Sequence, residues 1–171
     1  AGTPSAATRN WYSPVLLEAA ANAGTYEDEL TGTPRTLDAT LRSAQTLVKG
    51  ESLTAMITPL TELAIRRAEG AQGGLSDAAI NDAMSMVTTA FATADVRRIR
   101  PLDPTQSSSA SGTRTERNHG LALAGISALA QGRTVDQVLQ DLVDRGFRPD
   151  LAAAHQTAYT SALNTFLSSA R

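Results

Sequence analysis

From residue 59 onward, apolar side chains recur three and four places apart, and each run is bounded by residues that start or stop helices. In "TPLTELAIRRAEG", Leu60, Leu63, Ala64 and Arg67 fall at helical spacing. Thr58 stands where a cap is needed, Pro59 suits the first helical position, and Glu62, Arg66 and Arg67 complement the helix dipole before Gly70 stops the run. A second helix starting at Ser76 sets Ile80, Ala83, Met84, Val87 and Phe91 on one face. A third, over 115–130, carries Leu121, Ala124, Gly125, Ala128 and Leu129. In it Gly120, Ala124 and Ala128 recur every four residues, which lets another helix approach closely, and Gly132 ends it. Thr134 and Gln137 form a capping box for a fourth helix with the stripe Val135, Val138, Leu139, Leu142 and Val143, closed by Gly146. After the turn "FRPD", Asp150 caps a fifth helix that runs to the end of the chain.

The first fifty residues have no such period. Pro4, Pro14, Gly24, Gly32, Pro34 and Gly50 cut them into short pieces such as "SPVLLEAAANAG" and "RTLDATLRSAQTLV". In "ESLTAMITP", Leu53, Ala55 and Ile57 alternate with Ser52, Thr54, Met56 and Thr58, which predicts a half-buried strand of about five residues that ends at Pro59. The expected fold is mainly α. It consists of an antiparallel bundle of about five helices over 51–171 with a Ser-rich loop at 101–114, preceded by an irregular, extended N-terminal arm over 1–50, with one or two short strands. The arm has little apolar surface of its own and is expected to borrow burial from a second molecule.

Composition narrows the function classes. Hydrophobic residues make up 42% of the 171 positions but aromatics only 4%, so the core is built mainly from Ala, Leu, Val and Ile. A net charge of −2 gives no electrostatic footprint for nucleic acid. The absence of cysteine excludes disulfides, thiolate metal sites and cysteine nucleophiles. No apolar run approaches the roughly 18 residues of a membrane span. The small, polar opening "AGTPSAATRN" is compatible with a processed start of an exported chain.

Candidate chemistry is sparse. His119 and His155 have no carboxylate four residues away, and His119 is expected to face solvent or a partner near a helix start. Glu27, Asp28 and Glu29 lack the glycine and alternating pattern of a calcium loop and read as a solvated turn. Asp136, Asp141 and Asp144 read as the polar side of an amphipathic helix, and Met56, Met84 and Met86 as core gap-fillers. No nucleophile elbow, phosphate loop or dinucleotide pattern occurs, so no catalytic residue, cofactor or metal is expected. Two features suit contacts with other chains. Trp11 and Tyr12 are an aromatic pair in a polar arm, and Arg97, Arg98 and Arg100 concentrate guanidinium groups in "DVRRIRP".

The succession "SPVLLEAAANAGTYEDELTG", "LRSAQTLVKGESLTAMITPLTELAIRRA", "LSDAAINDAMSMVTTAF" and "GLALAGISALAQ" resembles a segment of large secreted or surface-anchored bacterial lipoproteins, over about residues 14–131. There it follows an immunoglobulin-like or carboxypeptidase-regulatory-like β-domain. The resemblance implies a structural, adhesive or spacer role in the envelope or outside the cell. This chain departs from the pattern in having no anchoring cysteine and no complete β-domain. The sequence therefore leads to a non-enzymatic exported structural protein that assembles with copies of itself at the cell surface or extracellularly, with other envelope proteins as further partners. The alternative is a periplasmic or surface ligand-binding module.

Overall fold

The computed structural model describes residues 14–19, 24–28, 32–46, 55–104, 106, 111–145 and 161. Among these residues four strands come first, β1 (Pro14–Ala19), β2 (Thr25–Glu27), β3 (Pro34–Thr36) and β4 (Leu41–Thr46). Four helices follow, α1 (Pro59–Glu69), α2 (Asp77–Ala90), α3 (Arg114–Leu129) and α4 (Val135–Asp144). Helix outweighs strand among the described residues, so the fold is mainly α. The predicted fifth helix, with His155, lies outside the described residues.

Helix α1 forms where local signals agree. Thr58 is extended at φ −141° and ψ 165°, and its hydroxyl accepts from the Thr61 amide while Thr61 Oγ1 accepts the Thr58 amide at 2.9 Å. Pro59 fills a position whose N–H would have no partner within the helix. Leu60, Thr61, Glu62, Leu63, Ala64, Ile65 and Ala68 are all buried, so α1 is covered on most of its circumference. It packs against α2, α4 and β4, which makes it the centre of the described fold.

Ser76 caps α2, which buries the predicted stripe Ile80, Ala83, Met84 and Val87. Its C-terminal end has the double-bonded pattern usually closed by glycine: Thr93 N donates to Thr88 O at 3.0 Å and Ala92 N to Thr89 O at 3.3 Å. The residue in the left-handed position is Ala92, at φ 49°. An alanine there carries a steric cost that glycine would not.

Helix α3 begins at Arg114, capped by Thr113 and Glu116 in a reciprocal box. Its buried face is turned from the predicted one. Ala122, Leu123 and Ile126 join Ala124 and Gly125 in the interior, whereas Leu121, Ala128 and Leu129 are half-buried. The side chains of α4 follow the expected stripe, with Val135, Val138, Leu139 and Leu142 buried.

The first fifty residues hold more strand than their pattern suggests. β1 and β4 pair antiparallel with Pro14 opposite Thr46 and Ala19 opposite Leu41, and β2 and β3 pair with Thr25 opposite Thr36. Ser43, Ala44 and Gln45 are all buried, so β4 is covered on both faces and shows no alternation of polar and apolar residues. Ala39 and Ala44 belong to the same core as Leu63, Ile80 and Leu139, with Tyr26 and Leu41 packed against it. The described part of the arm therefore finds burial in its own chain. The strand expected around Ile57 is not formed at residues 55–58. Met56 N instead makes a single bond to Arg97 O at 2.9 Å, and Ile57, expected to point inward, is 37% exposed. Met84 is a core residue as expected, but Met86 is 39% exposed.

Candidate functional site

Glu62 is a fully buried carboxylate, brought to the inner side of α1 by the same helical turn that buries Leu63 and Ile65. Arg42 on β4 reaches it with two bonds, Nε to Oε2 and Nη2 to Oε1, both 2.9 Å. Arg66, one turn along α1, adds Nε to Oε1 at 2.9 Å. The two guanidiniums extend outward, Arg42 to Glu69 at 2.6 Å and Arg66 to Asp136 at 2.5 Å. The resulting chain of charges, Glu69–Arg42–Glu62–Arg66–Asp136, ties β4, α1 and α4 together. Bonds from Glu62 and then Glu69 hold the Arg42 guanidinium more firmly protonated than usual. Asp136, read from sequence as solvated, is thus part of a buried network's rim.

A second buried acid corrects the reading of the acidic turn. Asp28 is fully buried, 3.1 Å from Arg35 Nη1 and 3.4 Å from Gln131 Nε2 beyond the end of α3. Arg35 also donates to the Ala130 carbonyl at 3.4 Å. Asp38 accepts the Val135 amide at 2.9 Å and so helps cap α4 from outside that helix. These contacts pin the β2–β3 hairpin and its exit to the α3–α4 corner. On β4, Ser43 and Gln45 lie on the face opposite Arg42 and Ala44, because strand side chains alternate. Both are buried, and among the described residues Ser43 Oγ and Gln45 Nε2 have no hydrogen-bond partner.

The arginine-rich segment after α2 crosses α3. Asn118 Nδ2 donates to Ala92 O at 2.7 Å, and Leu102 N reaches Glu116 O at 3.4 Å. His119 Nδ1 is 3.0 Å from Ile99 O. The sequence placed His119 toward solvent or a partner, but it is 0% exposed, because residues 99–102 lie over this part of α3. Burial lowers its pKa, against the opposing hydrogen bond to Ile99. Gly120 does serve a close approach, but what comes close is the Leu102 backbone and not a helix.

Of the interface candidates, Trp11 and Tyr12 lie outside the described residues. Arg97 is committed within the chain, with Nε and Nη2 on Asp95 at 2.9 and 3.0 Å and Nη1 on Asn81 at 3.1 Å. Arg98 is 69% exposed with only a 3.8 Å approach to Asp95, and Arg100 is exposed. Burial alone would raise the Asp95 carboxyl, but the bonds from Arg97 outweigh it and lower the value. Sequence reasoning missed Glu62, Asp28 and Asp38 as structural acids. Arg66 lies one turn from Glu62 in α1, but Arg42 is twenty residues from Glu62, Arg35 is in another element from Asp28, and Asp38 bonds the Val135 amide 97 residues on, which no local pattern reveals.

Among the described residues no three His, Asp or Glu side chains gather as a metal site, and no helix is long and apolar enough to cross a membrane. Comparison with protein-family models, curated proteins and solved structures gives no match to the chain.

Proposed function

We propose that this chain is a non-enzymatic, exported structural protein that assembles with copies of itself at the cell surface or extracellularly. The observation that carries this reading is the order of the larger sheet. β4 is fixed to α1 through Arg42 and Glu62, and β1 is bonded to β4 along one edge only among the described residues. An apolar strand with an unpaired edge is a template for pairing with another chain. Trp11 and Tyr12 come just before this strand in the sequence, and Arg98 and Arg100 offer exposed guanidiniums to carboxylates of neighbouring copies. The fifth helix, completing an antiparallel bundle, belongs to the same proposal.

Light scattering and negative-stain microscopy of the purified chain over a concentration series test it. Association that grows with concentration and falls when Trp11 and Tyr12 are both changed to serine is the expected result. A monomer at every concentration overturns it.

A periplasmic or surface ligand-binding module is the second reading. The buried, unpartnered Ser43 Oγ and Gln45 Nε2 favour it, since such atoms call for a specific explanation. It predicts thermal stabilisation by a polar small molecule that is lost in Ser43→Ala with Gln45→Leu.

A further inference from the structure

We propose that residues 92–102 form an acid-released strap, latched to α3 by neutral His119 and freed when that imidazole takes up a second proton. A carbonyl oxygen only accepts, so at 3.0 Å from Ile99 O it is Nδ1 that carries the ring hydrogen. Nε2 then holds the lone pair, in a residue 0% exposed and with no hydrogen-bond partner for that atom. A proton added to Nε2 creates a donor and a charge together, neither with an acceptor. Burying an uncompensated charge is among the most unfavourable changes a core can undergo. Opening the strap gives the ring water on both nitrogens.

The rest of the seat combines apolar burial with scattered bonds. Val96 is fully buried in the core, Arg97 reaches Asn81 on α2 at 3.1 Å, and Asn118 to Ala92, Leu102 to Glu116 and Met56 to Arg97 are single bonds between neutral groups. The strap begins at Ala92, whose φ of 49° is strained, and Thr93 Oγ1 beside it is buried without a partner. Opening relieves both, which offsets part of the cost of exposing Val96.

Among the described residues, the charged groups on the surrounding elements make no bond to the ring. On the strap, Asp95 is held by Arg97 and approached by Arg98, and neither Arg100 nor Asp103 just after the strap bonds to the ring. On α3, Glu116 is bonded to Thr113, and Arg117 reaches Gly112. On α1, Glu62, Arg66 and Glu69 belong to the ion network, and Arg67 makes no bond to the ring. Burial and, against it, the Ile99 carbonyl are the influences on the imidazole.

The unfolded or opened state takes up its proton near the ordinary value of 6.5, and the latched state only at lower pH. The latch is therefore at full strength above about 6.5 and weakens as pH falls from there toward the lowered value. Release frees the segment carrying Arg97, Arg98 and Arg100.

Hydrogen exchange of the whole chain at about pH 7.5 and about pH 5, corrected for intrinsic rates, tests this. Protection of the amides of residues 96–100 and of Leu102 should fall relative to α1, by no more than about tenfold per pH unit, the limit for one proton. His119→Asn keeps a donor for Ile99 without a titrating group, so its strap should lose the acid response, whereas His155→Asn should retain it. Strap protection that tracks α1 at both pH values overturns the proposal, as does an unchanged response in His119→Asn. In the unaltered chain, the NMR titration midpoint of the His119 ring should coincide with strap release, and two separate midpoints also overturn it.

Discussion

Gly120 and the carbonyl of Leu102 meet so closely that a Cβ on the glycine would lie 1.9 Å from the carbonyl oxygen. The obstacle is backbone and cannot rotate aside. Glycine in the middle of a helix costs about 1 kcal/mol relative to alanine, and here the close crossing accounts for its presence.

Gly120→Ala reverses the usual gain from replacing a helical glycine. The methyl group must push residues 99–102 off α3, and the chain should lose about 1–3 kcal/mol of stability. Urea unfolding followed by circular dichroism measures the loss, and exchange should speed first at Ile99 and Leu102. A stabilised variant would mean that the strap does not cross α3 at this point.

Glu62→Gln leaves Arg42 and Arg66 facing one another across a buried amide that carries no charge. Removing one partner from a buried ionic group costs on the order of 3–5 kcal/mol. The expected result is a large drop in urea midpoint with little change in its slope. The exposed end of the network is different. Glu69 is 41% exposed, and Glu69→Gln should change stability by less than about 1 kcal/mol.

Ala92→Gly should stabilise the chain. Relief of the left-handed alanine is worth about 1–2 kcal/mol, and the greater freedom of glycine in the unfolded state removes about 0.4–1 kcal/mol of that. A net gain of roughly 0.5–1 kcal/mol in thermal or urea unfolding is the expected outcome. The same change should slow strap opening only if Ala92 leaves its left-handed conformation as the strap lifts.

Helix starts were legible because they are local. Thr58, Ser76 and Thr134 cap the helices where the sequence places them, and Gln137 completes the box with Thr134. Helix ends without glycine were not legible, and Ala92 shows why, since a tertiary bond from Asn118 holds a conformation the residue does not favour by itself. β4 was obscured because Ser43 and Gln45 are buried on one face and Ala44 on the other, which erases the period of two. His119 was misplaced because its cover comes from Ile99, twenty residues earlier and across a turn. Gly120 was the available signal, and it marked a close approach without saying what approaches.

The bonds that fix the β2–β3 hairpin join residues made early to residues made late. Arg35 meets Ala130 across 95 positions and Asp38 meets Val135 across 97, and α1 is joined to α4 in the same way, with Arg66 meeting Asp136 across 70. As the chain leaves a ribosome or a translocation pore, the strands emerge well before the helices that seat them. The pairing of α1 with α2 can be settled early, while closing such long loops is slow. Folding must therefore finish from the far end inward, and a chain stopped short of residue 130 would carry Asp28 and Arg35 with nowhere to dock.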